Sequence, residues 1–95
     1  MERALPESVA AEAARLMTEQ VRAHGELLQL DAVALLVEHF GEQCVYENEN
    51  GNFGIHRDIL SVFKKQTGDD VVWDRGGLLW RRRQDYDPHG KRQVD

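Results

Sequence analysis

Basic side chains recur in this chain at spacings that suit phosphate contact. Arg57, Ser61 and Lys64 lie three and four residues apart, with Lys65 beside them, so a helix would present them together. Arg75 and the run Arg81-Arg82-Arg83 form a second group, which brackets Gly76-Gly77 and closes a run containing Trp73 and Trp80. Arginine and lysine on an exposed helix contact phosphate oxygens, and an indole can stack on a base. Each group also has a plainer reading. An amphipathic helix carries lysines and arginines on its wet face anyway. In a strand, alternation sends Arg81 and Arg83 to one face and Arg82 to the other, so the run makes no single patch. Asp69, Asp70, Asp74, Asp85 and Asp87 stand close enough to offset it.

Other chemistries have less support. The acidic stretch Glu47-Asn48-Glu49-Asn50-Gly51-Asn52 invites a calcium loop. With Gly51 at the sixth position of an EF-hand, however, Tyr46 takes the first and Arg57 the twelfth, where carboxylates are required. A turn that uses Asn and Gly for positive φ is the simpler account. Cys44 has no basic neighbour to lower its pKa and sits in an apolar run. His24, His39, His56 and His89 are scattered, with neither HExxH nor paired metal-ligand spacing. Ser8 and Ser61 lie in no nucleophile elbow. The expectation is a protein with no catalytic residues, no cofactor and no metal.

The elements that must carry these residues follow from periodicity and punctuation. Pro6 suits a first helical turn, and Val9, Ala13, Leu16, Met17, Gln20 and Val21 trace one face of a helix stopped by Gly25. Leu27-Leu28-Gln29 is long enough only for an edge strand or a connector. A second helix is expected from about Asp31, an acceptable N-cap, to Phe40, with Ala32, Val33, Leu36, Val37 and Phe40 as its buried stripe and Gly41 closing it. His39 marks its end. Cys44 to Glu47 reads as a strand, Asn48 to Asn52 as a turn, and Phe53-Gly54-Ile55 as the return. A third helix is expected over 57–67, capped by His56 and terminated by Gly68, with Ile59, Leu60 and Phe63 as its core face. Two apolar runs then flank Gly76-Gly77. A two-residue turn there pairs Arg75 with Leu78 and sets Trp73 opposite Trp80. Two facing indoles more often close a small core than bind a ligand.

Three helices and a terminal hairpin are the plan of a winged helix, an α+β fold with one or two short β-hairpins. Residues 1–83 make one such domain, and 84–95 a polar tail expected to be extended or partly mobile, with Tyr86 as its possible anchor.

Charge is uneven. The net of −5 divides into −7 over residues 1–55, with three Arg against ten carboxylates, and +2 over residues 56–95, with nine Lys or Arg against seven Asp. A duplex-binding domain usually carries a stronger basic footprint. No run approaches the roughly 20 apolar residues of a membrane span, and the start of the chain lacks the pattern of a secretory signal. The single cysteine suits a reducing compartment, so the cytoplasm is expected.

Several of these segments occur together in a recognisable order: Phe40-Gly41 through Asn52, Ile55 through Phe63, Val71-Val72-Trp73-Asp74-Arg75, Trp80-Arg81, and Tyr86-Asp87 to Gln93. In this the chain resembles a small bacterial family of unknown function, with an NENGN turn, a VVW…WR hairpin and a YD..G tail. Most of the chain beyond residue 25 is covered. The departure is Lys91, which separates Gly90 from Arg92. The resemblance implies a compact bacterial domain in which turn, hairpin and tail belong together, and it implies no activity. The function expected is a non-enzymatic interaction module that engages a protein partner or itself. The alternative is a nucleic-acid-binding winged helix using Arg57, Ser61, Lys64, Lys65, Arg75, Arg81 and Arg83.

Overall fold

Alanines and medium apolar side chains at helical spacing let two helices approach closely, and that contact organises the molecule. A computed structural model describes residues 4–87 and 92–94. Helix α1 (Glu7–His24) buries Ala10, Ala13, Ala14, Met17, Thr18 and Val21. It packs on α3 (Arg57–Thr67), which buries Ile59, Phe63 and Thr67. The buried Thr18 hydroxyl joins the two, donating to Ala14 O at 2.9 Å and lying 2.8 Å from Gln66 Oε1. Between them in sequence run β1 (Glu26–Leu28), α2 (Gln29–Phe40), a single 3₁₀ turn (Glu42–Cys44), and the strands β2 (Val45–Glu47) and β3 (Phe53–Ile55). After α3 come β4 (Val71–Asp74), β5 (Leu79–Arg82) and β6 (Gln93–Val94).

The fold is α+β, with three α-helices and two small sheets among the described residues. Strands β2 and β3 form a separate antiparallel pair. The larger sheet has the order β1-β5-β4-β6. Its edge strand β1 pairs antiparallel with β5, so that Leu27 lies opposite Trp80, and Trp80 lies opposite Trp73 of β4. The facing indoles expected from alternation are therefore present, with centroids 4.7 Å apart. Phe63 meets Trp80 edge-on at 5.7 Å, which locks α3 to the sheet.

Local punctuation is largely as expected. Gly25 takes a left-handed φ of 84° and closes α1 through its N–H to Val21 O. His56 caps α3, its Nδ1 accepting from Asp58 N at 3.0 Å. The structure corrects three details, the first being Cys44, which lies in the 3₁₀ turn before β2 and not in the strand. Helix α2 begins at Gln29 rather than near Asp31, because Gln29 N already donates to Leu78 O across the sheet. The Gly-Gly pair is not a two-residue turn. Residues 75–78 all lie in the turn, and Leu78, not a glycine, adopts the left-handed φ of 52°. The Asp74 carboxylate shapes this turn by accepting from Gly77 N at 3.1 Å.

The described part of the tail returns to the sheet. Strand β6 pairs in parallel with β4, and Trp73 N donates to Arg92 O at 2.6 Å. Its anchors are Arg92 and the buried Asp87, whereas Tyr86 is 78% exposed. The expectations for His89 and for the Pro88-His89-Gly90-Lys91 stretch lie outside the described residues. Among the described residues, no helix is long and apolar enough to cross a membrane.

Candidate functional site

The α3 residues singled out by spacing do come together, on the wall of a groove. Arg57, Ser61 and Lys64 line one side of a trough of about 560 Å³. Leu60, Phe63, Trp73 and Trp80 supply its apolar lining, and Ile55, Gly54 and Tyr46 close it from the β2–β3 hairpin. Gln29, Arg92 and Gln93 also line it. No carboxylate is among these residues, although the chain as a whole carries a net charge of −5. Among the described residues, neither Arg57 nor Lys64 has an ion-pair partner.

Sequence distance hides how the groove is assembled. Gln29 acts as a clasp: its backbone N–H goes to Leu78 O and its side-chain amide to Phe53 O, each at 3.0 Å, joining the sheet to the small hairpin. Gly54 lets the Tyr46 ring lie across the hairpin, since a Cβ there would stand 2.6 Å from Tyr46 Cζ. Five of the six large apolar residues exposed among the described ones, Leu28, Leu30, Tyr46, Phe53 and Leu78, belong to the segments that Gln29 joins.

The other basic residues go elsewhere. Lys65 is exposed on α3 and does not line the trough. Arg75 is in the exposed turn between β4 and β5. Arg81 lies opposite Val72 and therefore on the sheet face away from Trp73 and Trp80. There its guanidinium forks onto Asp87, with Nη1 and Nη2 at 2.9 and 3.0 Å from the two carboxylate oxygens, and its Nε donates to Asp74 at 3.2 Å. This fork, with the Gln84 N–H, holds the Asp87 carboxyl down at about 2. Asp74 is also lowered, first by the Gly77 N–H and then by Arg81. The same bonds to Asp87 and Asp74 raise the Arg81 pKa. Arg82 turns to the α1 side and donates to Arg22 O. Arg83 donates through Nε to Asp69 O and lines a depression with Asp69, Asp70, Gln84, Asp85 and Asp87. The three consecutive arginines thus serve three structural contacts.

Sequence reasoning overlooked Arg92. Its guanidinium lies 5.6 Å from the Phe63 ring centre and donates to Gly68 O, Val71 O and Thr67 Oγ1. It therefore closes the C-terminal end of α3, where carbonyls lack helical partners. Burial lowers its pKa. The cluster of charge in a polar tail held no signal for this role, because its partners lie 21 to 25 residues away.

Cys44 is fully buried, and burial raises its thiol pKa. Among the described residues, no group of three or more His, Cys, Asp or Glu is placed to hold a metal ion.

A family model described as a family of unknown function (DUF6953) matches residues 9–82. The chain belongs to that family. The family's span takes in nearly all of α1 and every element through β5, including the α3 and hairpin walls of the groove. Arg92 and Gln93, which form the remaining wall, lie beyond it. Comparison with curated proteins and with solved structures gave no match.

Proposed function

We propose that the protein is a non-enzymatic, cytoplasmic interaction module of winged-helix type that receives a polypeptide segment in the groove beside α3. The order helix, strand, helix, helix, hairpin, with the first strand pairing on the second hairpin strand, supports the winged-helix reading. The β2–β3 pair is then an insertion before the third helix. The observation that carries the functional reading is the groove itself: an aromatic lining beside two exposed cations, Arg57 and Lys64, that have no ion-pair partner among the described residues.

Nucleic acid is the second reading, favoured by Arg57 and Lys64 standing near Trp73. Duplex affinity rests on many phosphate contacts. Arg81 and Arg83, which would extend a basic band, instead engage aspartates and a backbone carbonyl on the other side of the sheet. That favours a protein partner.

Photo-crosslinking residues placed at Tyr46 and Ser61, both of which line the groove, in the native host separate the two. Protease-sensitive adducts at both sites, and none at the exposed Glu12 of α1, are expected. Nuclease-sensitive adducts, or equal labelling at Glu12, would overturn the proposal.

A further inference from the structure

Resting on that reading, we infer that the occupant of the groove is an extended acidic segment of a foreign protein, with a large apolar side chain midway between two carboxylates. Charge complementarity selects the sign. Arg57 and Lys64 are the exposed cations of the wall, and among the described residues none that they share it with is acidic. An acidic chain approaching a protein of net charge −5 is repelled by most of its surface, so this trough is where such a segment is tolerated.

Helix geometry sets the spacing. Seven residues at about 1.5 Å each separate Arg57 from Lys64 by roughly 10 Å along α3. In an extended chain, residues i, i+2 and i+4 share a face and span about 13 Å. Flexible arginine and lysine stems absorb the difference. Carboxylates at the two ends then reach Arg57 and Lys64, while the central side chain drops between Leu60 and Trp73. Ser61, midway on the wall, is left to hydrogen-bond the backbone of the bound chain. A nucleic acid would place its charge every nucleotide and would not use an aliphatic anchor. A second copy of this chain is the other possible occupant.

Calorimetric titration tests this with a synthetic glycine-serine nonapeptide carrying leucine flanked, two residues away on each side, by glutamate. Saturable binding is expected, with a change in tryptophan emission from Trp73. Replacing both glutamates by glutamine, or the leucine by serine, should each weaken it about tenfold or more, as should Lys64→Glu in the protein. Lys64 is exposed, so that variant keeps its fold, which circular dichroism checks. Equal affinity for the glutamine peptide, no binding up to about 1 mM, or tighter binding of a single-stranded octanucleotide would overturn the inference. So would light scattering showing a dimer that the peptide cannot dissociate, which would assign the groove to a second copy. If the peptide fails while groove crosslinks to protein persist, the partner's chemistry is wrong and the module reading stands. If both fail, both readings fall.

Discussion

Replacing Arg92 by alanine should destabilise the protein by about 3 kcal/mol. The guanidinium makes three hydrogen bonds, at 3.0 Å to Gly68 O, 3.3 Å to Val71 O and 3.0 Å to Thr67 Oγ1, and sits over Phe63. Bonds from a charged donor contribute roughly 1.5–3 kcal/mol each when desolvated. Gly68 is exposed, so water can replace Arg92 there and that bond is discounted to well under 1 kcal/mol. The contacts at Val71 and Thr67, both buried, and the cation–π contact of about 0.5–1 kcal/mol give most of the remainder. For a chain of this length, total stability is on the order of 5–14 kcal/mol. The loss should lower Tm by roughly 15 °C. Urea unfolding followed by tryptophan emission measures it directly, because Trp73 pairs with the same segment. Arg92→Lys should recover less than half, since an ammonium cannot fork across three acceptors. A loss below about 0.5 kcal/mol, the range of an ordinary surface substitution, would refute the docking of 92–94 and the groove wall it forms.

Three further outcomes are expected. Gly54→Ala should change stability by less than about 1 kcal/mol, because Tyr46 is half-exposed and its ring can swing away; the displaced ring should nonetheless weaken peptide binding several-fold, read by calorimetry. The Asp87 and Asp74 pKa values are both depressed, so the stability they contribute is complete above the ordinary carboxylate value of about 4 and is lost as pH falls below it, for Asp87 through about 2. Asp87→Asn should therefore flatten the acid limb of a stability–pH curve measured by urea unfolding, and an unchanged limb would contradict the fork. Cys44 should react with a thiol reagent at neutral pH at least about 100-fold more slowly in the native protein than in urea, since its thiol is buried and its pKa raised.

Local signals in the sequence were sound where neighbours in the chain decide the outcome. Helix ends at Gly25, Gly41 and Gly68, the His56 cap and the Trp73–Trp80 register all follow from short-range pattern. The Gly-Gly turn misled because Asp74 and Gln29 fix the loop from either side and put the left-handed residue at Leu78. The fate of the arginines was half legible. Alternation separated Arg82 from Arg81, but the pairing of Arg81 with Asp87 required the chain to fold back beyond β5. The α3 stripe of Arg57, Ser61 and Lys64 was readable from helical spacing. The groove it borders was not, since Gln29, Tyr46 and Arg92 reach it from three other elements.

The claim that the trough beside α3 is the contact surface is tested most directly by amide and indole chemical-shift mapping on the ¹⁵N-labelled protein as the acidic nonapeptide is added. Shifts concentrated at Arg57, Ser61, Lys64, Tyr46, Gly54 and the Trp73 indole are the predicted result. Shifts centred on Asp69, Asp70, Arg83 and Asp87, with the α3 stripe unmoved, would contradict it.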